Sequence, residues 1–248
     1  MGLTVHQFPC LEDNYGFLVH DEATGIVACI DTPDADAVLG ELAAKQWQLD
    51  FILNTHWHGD HIGGNEKLRG TTGALIVGPQ EVCRKSPVDR VVHPGDLVEI
   101  GATRFDVLDT GGHTSQHVSY YDAADRIVFV GDTLFAMGCG RLFEGTPEQM
   151  WTSLMRLAEL PPEVTVYCAH EYTESNARFA LMFDDSRPVR ERFDEIVRAR
   201  SQGEWTVPTT IGVERETNPF LRARLLVPNL DPVAAFAKLR SAKDGFVG

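Results

Sequence analysis

Between Thr55 and His61 the chain reads Thr-His-Trp-His-Gly-Asp-His, which sets three imidazoles and a carboxylate directly after the apolar run Phe51-Ile52-Leu53. Such a run reads as a buried strand. Side chains two apart on an extended backbone project to the same side, so His56 and His58 are placed to converge on one metal ion. Gly59 lets the chain turn. Asp60 and His61 then face a second ion from the start of a segment, residues 62–68, that can begin a helix. A loop that merely displays polar residues seldom concentrates good ligands this tightly. The fold must therefore bring the missing ligands to this loop from elsewhere, and that requirement constrains it most.

The remaining chain supplies them at strand ends. Short β-branched or aromatic runs at residues 4–8, 16–20 and 26–30 read as opening strands, and residues 34–46 carry apolar positions at helical spacing. Strands follow at 74–77, at 97–100 and 103–108 as a hairpin across Gly101, and at 118–121, 127–130 and 164–168. His113, Asp132 and His170 stand just beyond such runs, where sites are built on a rigid sheet. Thr146-Pro147-Glu148-Gln149 is a helix start with proline at the first helical position. After His170 the pattern turns helical, at 175–183, at 187–202 closed by Gly203, and from Asp231-Pro232 to about Gly245, with an irregular stretch at 206–228. A domain boundary is expected near 170–175, dividing the chain into residues 1–172 and 173–248.

These donors make a two-ion site. His56, His58 and His113 are assigned to one ion and Asp60, His61 and His170 to the other. Asp132 bridges them, because a carboxylate has two oxygens. Each ion keeps a position open for water, as catalysis requires, and Asp60 is expected to orient a hydroxide held between the ions. Imidazole and carboxylate suit zinc, iron or manganese, with zinc the first choice. Asp31 reads equally as a carboxylate that hydrogen-bonds the ligand loop or as a turn residue before Pro33. His117 is expected to support the site by a hydrogen bond, and His6, His20 and His93 to be surface or turn histidines. Cys139 reads as a structural thiol, since no partnering base is visible.

Composition narrows the class. A hydrophobic content of 43% and a charged content of 23% are ordinary for a soluble globule. The net charge of −14 argues against nucleic acid, which needs clustered cations, and against anionic membrane. Five scattered cysteines without a C-x-x-C pair favour a reducing compartment, and no signal sequence or apolar span is visible, so a cytoplasmic monomer is expected.

Thr-His-x-His-x-Asp-His, Gly-Gly-His-Thr at 111–114 and Gly-Asp-Thr-Leu-Phe at 131–135 resemble the metallo-β-lactamase superfamily. Within it, residues 138–145, 169–173, 218–222 and 239–244 make the chain most similar to glyoxalase II, the hydroxyacylglutathione hydrolases. The resemblance implies an αββα sandwich followed by a smaller, mainly helical substrate-binding domain. It implies that Arg141, Tyr172, Arg240 and Lys243 contact glutathione. Residues three apart share a helix face, so the last two can meet one carboxylate. Their plainer reading is that they complement the negative end of their helix. The activity implied is hydrolysis of S-lactoylglutathione to lactate and glutathione in methylglyoxal detoxification. Phe143 stands where some relatives carry tyrosine and is left out of the expected site. The alternatives are a glutathione persulfide dioxygenase on the same fold and, against the acidic charge, a metallo-nuclease.

Overall fold

The computed structural model describes residues 2–247. The chain forms two compact units, Met1–Asp109 with Gln116–Gly131, and Thr110–Ser115 with Asp132–Gly248.

The first unit holds two sheets. One runs in the order β1 (Leu3–Cys10), β2 (Asn14–Asp21), β3 (Val27–Ile30), β4 (Phe51–Leu53), β5 (Leu75–Pro79) and β6 (Arg90–Val92). Its first three strands are antiparallel and the rest pair in parallel. Parallel strands are covered on both faces, which is why β3 and β4 read as unbroken apolar runs. Helices α1 (Ala35–Lys45), α2 (Gly59–Ile62) and α3 (Asn65–Thr72) connect these strands. Asp34 caps α1 by accepting from the amides of Asp36 and Ala37. Val38, Leu42 and Leu68 from the helices pack on Leu18, Cys29, Ile52 and Ile76 of the sheet.

The second sheet of this unit is an antiparallel meander of β7 (Leu97–Ile100), β8 (Thr103–Asp109), β9 (Val118–Asp122) and β10 (Ile127–Gly131). Alternate residues of β7 and β8 are buried, so one face looks inward. Phe17 of β2 meets Phe129 of β10 with ring centroids 5.6 Å apart, so the two sheets share a core.

Residues 62–68 do not form one helix. The chain breaks between α2 and α3 at Gly63-Gly64, where a Cβ on Gly63 would lie 2.7 Å from the Gly59 carbonyl oxygen. That close approach admits only glycine.

The second unit contains the hairpin β11 (Leu134–Phe135) and β12 (Gly138–Cys139), helix α4 (Pro147–Ala158), and β13 (Thr165–Cys168) paired with β14 (Thr209–Thr210). Thr146 caps α4 by accepting from the Gln149 amide. Helices α5 (Thr173–Leu181), α6 (Arg187–Ser201), α7 (Ile211–Thr217), α8 (Ala223–Leu226) and α9 (Pro232–Asp244) complete it. Met137, Ala177, Ala180, Val189 and Ile196 form one apolar cluster, and in another Phe220 stacks on Phe179 and meets Phe236 edge-on.

Residues 206–228, expected to be irregular, hold β14, α7 and α8. Gly212, Val213 and Thr217 give α7 little intrinsic helix propensity, and tertiary contacts override it. Thr210 caps the helix through the Val213 amide. Glu214, fully buried, pairs with Arg192 and accepts from the Thr209 hydroxyl, the Asn218 amide and the Met137 backbone N–H. Asn218 also donates to the carbonyls of Phe135 and Gly138, so this network pins the β11–β12 hairpin.

Candidate active site

The ligand loop of the first unit is set by Asp31, just past β3. Asp31 has φ +55°, a left-handed conformation that aspartate tolerates better than most residues. Its carboxylate accepts from the Thr55 amide, from the Thr55 hydroxyl and from Nδ1 of His61, each at 2.8 Å. Of the two readings open for Asp31, the geometry supports the loop-bonding carboxylate. Because Thr55 Oγ1 donates to Asp31, it accepts from His56 Nδ1, 3.0 Å away. One carboxylate thus fixes two imidazoles with Nδ1 protonated, which turns the Nε2 lone pairs toward a metal. The Asn54 side chain holds the His61 carbonyl, and the His117 ring stacks on His56 with centroids 4.9 Å apart. His56 Nε2 and His58 Nδ1 lie 3.1 Å apart, close enough for one ion to draw on both. Asp60 receives the Asn14 side chain at 3.1 Å, a contact no local motif announced.

In the second unit His113 donates from Nδ1 to the Arg141 carbonyl at 2.9 Å. Its Nε2 lies 3.3 Å from Asp132 Oδ2, and His170 Nε2 lies 3.3 Å from Asp132 Oδ1. One carboxylate therefore turns an oxygen to each imidazole. Gly112 is required at its position: it has φ +143°, and a Cβ there would lie 2.7 Å from Met150 Cβ.

In the first unit the ligand atoms of His56 and His58 lie 3.1 Å apart and those of Asp60 and His61 3.5 Å apart, and in the second Asp132 lies 3.3 Å from both His113 and His170. His56, His61, His113, Asp132 and His170 are buried. Imidazoles whose second nitrogen is tied to a carboxylate or carbonyl are what divalent metal sites use, so the donors within each unit are of the kind that suits such ions.

A cavity of about 380 Å³ in the second unit is lined by Asp132, Phe135, Cys139, Arg141, Phe143, Tyr172 and, from α5 and α9, Ser175, Asn176, Arg240 and Lys243, with Phe246 beyond them. Tyr172 stacks parallel on His170, centroids 4.7 Å apart. Arg240 is buried. It donates to the Cys139 carbonyl at 2.7 Å, pairs with Asp244 at 2.9 Å and lies over the Phe220 ring. It is thus a structural tie as well as a lining cation. Lys243 donates to the hydroxyl and carbonyl of Ser175. Burial, with Arg240 and Arg141 nearby, lowers its pKa to about 8. Cys139 is pushed the other way, up to about 11, chiefly by burial. It therefore resists ionisation at neutral pH and makes a poor nucleophile. Phe143, omitted from the expected site, lines this cavity and sets its ring edge-on to His113 at 5.2 Å.

The sequence model of the metallo-beta-lactamase superfamily matches residues 18–170, and that of the hydroxyacylglutathione hydrolase C-terminus matches residues 171–246. A hydroxyacylglutathione hydrolase of Erythrobacter litoralis is 50% identical over 98% of this chain and 100% of its own. The chain belongs to the hydroxyacylglutathione hydrolase family of the metallo-β-lactamase superfamily. A second hydroxyacylglutathione hydrolase, from Maricaulis maris, is 50% identical over 98% of this chain and 99% of its own. Among solved structures, ETHE1 from Myxococcus xanthus aligns at 28% identity and a TM-score of 0.67, covering 96% of this chain and 97% of that one. TTHA1623, solved in a di-iron-bound form, aligns at 25% identity and a TM-score of 0.64, over 88% of this chain and 100% of that one. Hydroxyacylglutathione hydrolase membership carries with it the metallo-β-lactamase fold, mixed α/β with a helical C-terminal region. Among the described residues no helix is long and apolar enough to cross a membrane.

Proposed function

We propose that this chain hydrolyses S-(2-hydroxyacyl)glutathione, S-lactoylglutathione first among them, to a 2-hydroxy acid and glutathione. What carries the reading is the shared cavity: Asp132 forms one wall, and Arg141, Tyr172, Arg240 and Lys243 form others. A carboxylate positioned to ligate metal and a set of cations suited to a peptide's carboxylates border one space. Names of relatives that are 50% identical over nearly the whole chain support the same substrate class.

In this reading residues 1–172 form the catalytic domain and 173–248 the substrate-binding domain of a cytoplasmic monomer. Two divalent ions, zinc by first choice, would be held by His56, His58 and His113 and by Asp60, His61 and His170, with the two oxygens of Asp132 shared between them. Divalent ions bound there supply Lewis acidity, lowering the pKa of water to about 7 and polarising a carbonyl oxygen. Asp60, held by Asn14, accepts a hydrogen bond from the attacking hydroxide and so aims its lone pair at the thioester carbon. Arg240, Lys243 and Arg141 bind the glutathione carboxylates, and the stacked Tyr172 walls the cavity beside His170. The departing thiolate, with an ordinary pKa near 8.5, needs no strong acid, and the cavity's lining offers none.

The test is a paired assay of purified, metal-loaded protein. S-lactoylglutathione should be cleaved with kcat/KM above about 10⁴ M⁻¹s⁻¹, while glutathione persulfide should drive no oxygen uptake. Oxygen uptake with persulfide and an untouched thioester would reverse the assignment.

A further inference from the structure

Lys243 is held in an unusual way for a cation. Among the described residues no carboxylate pairs with it; its ammonium lies 2.9 Å from the Ser175 hydroxyl and 3.1 Å from the Ser175 carbonyl. Two aromatic faces complete the surroundings, Phe246 at 4.8 Å and Phe179 at 5.6 Å from ring centroid to Nζ. Phe179 is 1% exposed and stacks on Phe220, so it is fixed by the core. Phe246 follows α9; its amide closes on the Lys243 carbonyl at 3.1 Å, and its ring meets Phe179 edge-on with centroids 5.6 Å apart. Phe246 thus covers the ammonium from a segment outside the helix, and it lines the same cavity as Arg141, Arg240 and Lys243.

A lysine stem is flexible, and ordering it costs rotamer entropy. Aromatic faces attract an ammonium without neutralising it, so the full charge is left for an incoming anion. Resting on the reading of this cavity given above, we infer that Phe246 is a positioning residue: its ring holds the Lys243 ammonium ready for an anionic group of the substrate. The groups facing Lys243 are Arg240 on its own helix, Arg141 and the Cys139 thiol across the cavity, and the neutral Ser175 on α5.

The test reads Lys243 directly. Reductive ¹³C-methylation labels the lysines, Lys243→Arg assigns the resonance, and its titration is followed by NMR in wild type, Phe246→Ala, Phe246→Leu and Phe246→Trp. Lys243 should titrate near pH 8 in the wild type, chiefly because it is buried, and rise toward the ordinary value of about 10.4 when the covering ring is removed, because the regained solvation outweighs the lost attraction of the ring. The tryptophan variant should stay close to wild type. In parallel, calorimetry with S-methylglutathione, which cannot be hydrolysed, should give about fivefold weaker binding for the alanine and leucine variants at pH 7. Anion binding needs the protonated ammonium, so the gap should close above pH 9, where wild type has lost its charge and the variants keep theirs. In hydrolysis, KM should rise and kcat stay within about twofold, since the contact acts on binding and not on the reacting centre. Unchanged titration of Lys243 in Phe246→Ala would overturn the inference. So would affinity lost in every variant, tryptophan included, with the pH profile unmoved. Failure of wild type to bind S-methylglutathione would instead count against the substrate reading, while the titration still decides the role of Phe246.

Discussion

Asp132→Ala is expected to lose at least about 100-fold in kcat and to bind less than the wild-type complement of metal. Residues that merely orient a metal ligand cost 10- to 100-fold when removed, and Asp132 stands closer to the chemistry than that. Its two oxygens each face an imidazole at 3.3 Å, His113 on one side and His170 on the other. Alanine removes both contacts together and leaves two buried imidazoles without the anion between them. Elemental analysis and steady-state kinetics on the same sample check it, with circular dichroism to establish that the variant folds. Wild-type kcat in this variant would remove the basis for assigning two ions to one carboxylate.

Asp31→Asn should have nearly as large an effect although Asp31 belongs to none of the donor sets. The carboxylate accepts from three donors, two of them through the same oxygen. An amide of the same size has one acceptor oxygen and one NH2, so at least one donor must face another donor. The relief open to His61 is to move its proton from Nδ1 to Nε2, the wrong tautomer for a ligand. Metal affinity should fall about 10- to 100-fold. Asp31→Ala should add a loss of stability, because it strands buried donors at about 1–3 kcal/mol each and puts a Cβ-bearing residue with no local hydrogen bond at φ +55°. Metal competition with a chromophoric chelator reads the first effect and urea unfolding the second. Undiminished metal affinity in Asp31→Asn would mean that His61 does not depend on Asp31 for its orientation.

What was legible in the sequence divides along physical lines. Density of donors needs no tertiary knowledge, and residues 55–61 announced metal chemistry by themselves. Most strands of the first unit were legible because each is a short β-branched or aromatic run bounded by turn residues, β6 alone being too short an apolar run to stand out, while α1 was legible from its apolar spacing and α4 from the Thr146-Pro147 start that caps it. The two-strand hairpin β11–β12 was not, since it is held by Asn218 and Glu214 from some eighty residues away. Nor was α7, whose residues favour a helix only once Glu214 is buried against Arg192. Asp31 stayed ambiguous for the same reason: its role depends on a positive φ and on partners 24 and 30 residues along the chain. Arg240 and Lys243 are singled out by the family resemblance, and helix spacing adds only that they share a face. Their contacts with Cys139, Asp244 and two aromatic rings are long-range or rotamer-dependent, and no spacing rule reports them.

On the proposed function, these seven donors hold two ions and both serve thioester cleavage. The most direct measurement strips the protein with a chelator and titrates it with zinc, following heat and S-lactoylglutathione hydrolysis together. Two equivalents should bind per chain, with hydrolysis reaching its maximum only as the second site fills. Full activity at one equivalent, or hydrolysis by the stripped protein, would contradict it.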